Sequence, residues 1–120
     1  MIYLHPYTDS AGESHFGKLE ANFSSANYAP PAPPLDVAEF SPAAQYGFIS
    51  MKPGWYGDWH PVPARQVMVF VEGEMEAQAS DGEARRLVPG VVLLLEDTKG
   101  RGHKSWVVGE KTVTIFVTRL

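Results

Sequence analysis

At 120 residues, 44% hydrophobic and 20% charged, the chain can bury one core and is too apolar for a disordered segment. Its 10 basic and 14 acidic residues give a net charge of −4, which argues against nucleic acid as the main partner, because neutralising phosphates needs a basic surface. There is no cysteine, so disulfides and thiolate metal sites are excluded and any metal must be held by imidazole, carboxylate or amide oxygen.

Residues 1–14 begin with MIYL, read as a short edge strand, and end in the loop DSAGES. This opening lacks the basic start and apolar run of a secretory signal, and no stretch approaches membrane-spanning length, so a cytoplasmic protein with no membrane partner is expected. HFGKLEANF at 15–23 reads as another strand, with Phe16, Leu19, Ala21 and Phe23 as its apolar positions. SSANYAPPAPP follows, and Pro30, Pro31, Pro33 and Pro34 exclude both helix and central strand there. Too little chain precedes it for a separate domain. It is expected as an ordered polyproline arm, lying on the surface or reaching a second subunit.

From residue 45 the strand signals come at regular intervals. QYGFISM (45–51) has the aromatic and β-branched bias of a strand and stops at Lys52-Pro53-Gly54. GWYGDWHPVPAR then carries His60 in an aromatic, proline-rich stretch, with Trp55 and Trp59 flanking a turn. QVMVFVE (66–72) is the strongest strand, expected to put Gln66, Met68 and Phe70 on the interior face. Val67, Val69 and Val71 then face a second sheet or a partner subunit. Glu74–Ala79 alternates polar and apolar, and Ser80-Asp81-Gly82 signals a hairpin. Further strands are expected at 85–88, 91–96, 103–108 and 111–118, with DTKGRG (97–102) as a loop. No helical periodicity is sustained, so the pattern is that of an all-β sandwich or barrel.

Two spaced motifs narrow this further. Gly54 is followed after five residues by His60. Val62, Gln66 and Gly73 come next at the intervals where the first cupin motif has a second histidine, a glutamate and a closing glycine. Pro89-Gly90, an apolar strand and His103 are similar to the second cupin motif, with a longer loop before the histidine. Over roughly residues 45–118 the chain thus resembles the small single-domain cupins. The resemblance implies a cupin-type jelly-roll β-barrel at 45–120. Residues 1–44 would supply N-terminal strands and a Pro-rich arm packed on it, one domain in total. It also implies that His60, Gln66 and His103 point into one cavity, and that the protein is a homodimer.

The chemistry stays open at this level. His60, Gln66 and His103 could hold one divalent ion (Zn, Fe, Mn or Ni), although Val62 offers no donor and Gln66 no charge; the site could equally hold none. Candidate catalytic groups are His60, His103, Asp58 and Glu96, with Asp97 set behind the last two. Trp59, Gln66, Met68 and Phe70 are the expected pocket residues, and Trp106 is expected in core packing. Two functions fit: an enzyme acting on a small organic molecule (isomerase, cyclase, lyase or oxygenase type), and a non-catalytic cupin that binds or senses such a ligand without metal.

Overall fold

Apolar side chains at every second position, interrupted by glycine turns, give twelve strands and no helix in the computed structural model, which describes all 120 residues. In chain order they are β1 (Ile2–Thr8), β2 (Ser14–Glu20), β3 (Ser24–Ala26), β4 (Leu35–Val37), β5 (Gln45–Met51), β6 (Tyr56–His60), β7 (Gln66–Glu72), β8 (Glu74–Ala79), β9 (Ala84–Leu87), β10 (Val92–Leu95), β11 (His103–Val108) and β12 (Val113–Arg119). A six-stranded sheet runs β2-β1-β10-β7-β12-β5, and a four-stranded sheet runs β6-β11-β8-β9. The two form a jelly-roll barrel whose core comes from both inner faces. Phe70, Leu93, Leu95, Val113, Ile115 and Val117 come from the large sheet, and Met75, Ala77, Leu87 and Val107 from the small one.

Gly73 is the corner between the sheets. It is the only residue between β7 and β8, which belong to different sheets. Its φ of +76° suits glycine, and a Cβ there would lie 2.7 Å from the Thr112 carbonyl oxygen and 2.9 Å from the Cα of fully buried Val113. The chain turns this sharply only because nothing projects from it.

The first 20 residues are part of the barrel rather than a layer on it. β1 is an interior strand of seven residues, not a short edge. It pairs antiparallel with β2 and parallel with β10, where Leu4 lies opposite Leu93. Its carbonyl at Pro6 accepts from the Glu96 amide at 2.7 Å. The barrel therefore begins at Ile2, and the expected boundary at residue 45 does not separate it from the N-terminal strands.

The arm between them behaves differently. β3 and β4 pair only with each other. Phe23, Tyr28, Leu35 and Phe40 remain 43–71% exposed, and Tyr28 and Phe40 meet edge to face within the arm at 5.8 Å. This extension explains a radius of gyration of 15.8 Å where a packed chain of this length gives about 14 Å. The outer face of the large sheet is also only partly covered. Val67 and Val69 are half-buried, and Val71 is 54% exposed. No helix is long and apolar enough to cross a membrane.

Candidate functional site

His60 reaches the barrel interior because β6 is irregular. Gly57 lies opposite Ser105 and His60 opposite His103, so Asp58 and Trp59 together face Lys104 alone. This bulge resets the alternation. It puts His60 on the same side as Gly57 and sends Trp59 to the outer surface. The Asp58 carboxylate accepts from the Trp59 backbone N–H at 2.8 Å, which satisfies a donor the ladder leaves unpaired. The Asp58 backbone carbonyl accepts from the His60 ring at Nδ1, 2.6 Å away. A carbonyl can only accept, so the Nδ1 of His60 carries a proton, and in the neutral tautomer that this selects, Nε2 is a bare acceptor.

His103 is held in the same sense by a different group. Its Nδ1 donates to the Asp97 carboxylate at 2.5 Å, and Asp97 is fully buried, its second oxygen without a partner. The Asp97 backbone carbonyl accepts from the Val62 amide at 3.1 Å, tying the 97–102 loop to the segment after His60. Gly102 makes this approach possible. With φ at +69° it lies against the His60 carbonyl and Pro61, where a Cβ would collide with both. From the other side, buried Ser14 donates its hydroxyl to the Gly102 carbonyl at 2.6 Å and accepts from the Ser80 amide at 2.7 Å. The two imidazoles meet edge to face with centroids 4.6 Å apart.

Both rings line a cavity of about 250 Å³ between the sheets. Gln66, Met68 and Phe70 line it, and Val62, in the place of the second motif histidine, is a buried apolar wall residue. Trp55, one of the two tryptophans read as a possible aromatic wall beside His60, lines it too, as do Ser105 and Arg119, which the sequence did not single out. The remaining candidates lie elsewhere. Trp59 lies on the outer surface against the Arg101 guanidinium, 4.2 Å from the ring centroid, and the Lys104 ammonium at 5.2 Å. Trp106 stacks on Tyr56 on that same outer face rather than packing in the core. Glu96 bonds His5 at 2.8 Å and Arg65 at 2.5 Å, joining β1 to the segment before β7. Burial pushes the Glu96 carboxyl up, but the Arg65 guanidinium and the His5 ring outweigh it and hold it below its ordinary value.

The carboxylate next to the histidines is therefore Asp97, not Asp58 or Glu96. One signal pointed to it. Counting by twos from Leu93 and Leu95 brings the next inward position to residue 97.

The donor set is poor for a divalent ion. His60, His103 and Gln66 share the cavity wall, but all three are neutral donors. Nowhere does the fold gather three His, Asp or Glu side chains as ligands, and Asp97 is engaged by the Nδ1 of His103. Imidazole and a buried carboxylate are the chemistry this site offers.

No protein-family model matches the chain, and no curated protein does. Solved structures do. An RmlC-like cupin family protein with a double-stranded β-helix fold from Methanocaldococcus jannaschii aligns with a TM-score of 0.53 and 15% identity, covering 86% of this chain and 92% of that one. A putative ethanolamine utilization protein Q from Salmonella typhimurium aligns over 99% and 94% at 15% identity, with a TM-score of 0.49. The Cnp3 cupin domain of Schizosaccharomyces pombe aligns over 88% and 70% at 14% identity, also with a TM-score of 0.49. At these identities the likeness speaks to the fold: the chain is a cupin-type double-stranded β-helix.

Proposed function

We propose that this protein binds a small, largely apolar organic molecule in the barrel cavity, and that His60 and His103 engage its polar part through Nε2. The observation that carries this reading is the histidine pair itself. Two imidazoles share the wall of an apolar cavity, each with Nδ1 committed to an oxygen and Nε2 left over. Apolar walls with a few convergent polar groups are what small-molecule sites are made of. If turnover occurs, His103 is the general base. Its Nε2 takes a proton from the ligand, and the buried Asp97 carboxylate balances the imidazolium through Nδ1–H.

The test is ligand binding and proton transfer in His103→Ala and His60→Ala variants that keep the wild-type melting profile. Each substitution is expected to weaken binding of a cavity ligand by about tenfold, a loss of about 1.4 kcal/mol. Unchanged affinity in both would remove the histidines from the function. Elemental analysis of protein purified without nickel chromatography bears on metal directly. A stoichiometric ion lost in either variant would replace the imidazole chemistry with a metal site.

The same reading includes a homodimer. Phe23, Tyr28 and Phe40 of the arm and Tyr46 and Phe48 of β5 are each 54–77% exposed. At 150–250 Å² per aromatic side chain, these five with Leu35 and Val71 leave roughly 800 Å² of apolar surface. That matches one side of a standard interface, about 800 Å². Sedimentation of the full chain against a chain lacking residues 23–44 tests it: a dimer is expected for the first and a monomer for the second.

A further inference from the structure

We infer that the ligand of this cavity carries an anionic group, a carboxylate in the simplest case, which Arg119 and Gln66 receive. The inference rests on the proposed cavity binding and adds the ligand's chemical class to it.

Charge provides the first argument. Of the 20 residues lining the cavity, Arg119 alone carries a fixed charge, and no aspartate, glutamate or lysine is among them. The other arginines are all occupied. Arg65 pairs with Glu96, Arg85 with Glu83, Arg86 with Glu74 and Glu76, and Arg101 lies over the Trp59 ring. The guanidinium of Arg119 makes no ion pair or hydrogen bond in the chain. Its backbone is nevertheless fixed in β12 between β5 and β7, with its carbonyl accepting from Ala44 at 2.8 Å. A guanidinium offers five donors in a planar fork suited to a carboxylate, and this fork is left open where the cavity begins.

Gln66 provides the second argument. It is the cross-strand partner of Arg119, is only 3% exposed, and lines the same cavity, its side-chain amide making no hydrogen bond within the chain. An amide that faces an otherwise apolar space has both its NH₂ and its carbonyl oxygen available to a polar ligand. As cross-strand partners Gln66 and Arg119 project from the same face of the sheet, so both can donate to one acceptor. Because the ring nitrogens left free on His60 and His103 accept in their uncharged form, the cavity has donors at the Gln66–Arg119 pair and acceptors at the histidines. A ligand with a carboxylate and a group that donates a hydrogen bond or proton matches both.

Size completes the class. A dry cavity of about 150 Å³ admits benzene, so one of about 250 Å³ admits an apolar body of about ten non-hydrogen atoms. Small aromatic or branched aliphatic monocarboxylates satisfy the charge, polarity and volume together.

Phenylacetate and its neutral isostere phenylacetamide are suitable probes, titrated into the full chain by calorimetry and by NMR of the cavity methyl groups. The acid is expected to bind at least about tenfold tighter than the amide. In Arg119→Gln this preference should disappear while the affinity for phenylacetamide stays put, and in Arg119→Lys part of it should survive. Equal affinity of acid and amide in the wild type, or a preference that persists in Arg119→Gln, would overturn the anionic class and leave cavity binding standing. If neither probe moves the cavity methyl signals, the class falls along with the cavity reading on which it rests.

Discussion

Three histidines in this molecule bond carboxylates, His5, His15 and His103, and only His103 lines the cavity. His103 gives Nδ1 to Asp97 at 2.5 Å and keeps Nε2 at the cavity. His15 uses both ring nitrogens, Nδ1 toward Asp81 at 2.8 Å and Nε2 toward Asp9 at 2.7 Å. The first pair has a carboxylate with no exposed surface, whereas the side chains of the second are each about a third exposed. His15 joins the β1–β2 turn to the β8–β9 turn and has no nitrogen left for a ligand. A histidine beside a carboxylate is thus not a sign of chemistry in itself. A free ring nitrogen facing a largely apolar cavity is what distinguishes the site from the latch.

The comparison can be broken most forcefully at the loop that presents His103. Gly102→Ala should destabilise the fold by about 3 kcal/mol or more, because the new Cβ meets the His60 carbonyl at a φ that L residues avoid. Thermal melting checks this, and a neutral result would mean that the 97–102 loop is not held as described. Asp97→Ala comes next. It strips His103 of a buried charge-assisted bond and should cost about 2 kcal/mol. Ligand affinity should fall with it, since the His103 ring loses its fixed orientation. Retained stability together with lost binding would make Asp97 a positioning residue only.

The smallest effect is expected at the latch, and it depends on pH. The hydrogen bonds that His15 donates to Asp9 and Asp81 raise its pKa above 6.5, so its contribution is complete below 6.5 and is lost as pH rises through the folded-state value. The bond from His15, with backbone N–H groups of Glu13 and Ala11, holds Asp9 below 3.8, so its contribution is present above 3.8 and is lost as acid takes pH through the folded value. The latch therefore acts most strongly between pH 3.8 and 6.5. Melting temperatures of wild type and His15→Gln should differ most in that window and converge on either side. A pH-independent difference would mean that His15 acts through packing rather than charge.

The sequence carried the barrel clearly and the site in part. The β7 alternation placed Gln66, Met68 and Phe70 on the cavity side, because period-two patterning survives wherever a strand is regular. The same logic fails at β6. There the Asp58–Trp59 bulge inverts the alternation, so Trp59 leaves the pocket that His60 enters. A bulge has no local composition signal strong enough to announce it. Asp97 was hidden by being read as a loop residue, although the β10 alternation runs through it. Arg119 was missed for another reason: its significance lies in the partners of the other four arginines, and pairings between distant strands are not visible along the chain. The N-terminal strands were underestimated because β1 joins the sheet through a parallel contact with β10, some 90 residues away.

The most direct measurement is long-range ¹H–¹⁵N NMR of the imidazole rings, with and without phenylacetate and phenylacetamide. In the free protein the uncharged rings of His60 and His103 should both carry the proton on Nδ1. On adding a probe that binds, their Nε2 resonances should move while those of His5 and His15 stay still. Protons found on Nε2 in the free protein, or ligand binding that leaves both Nε2 signals unmoved, would contradict a site built on these two histidines.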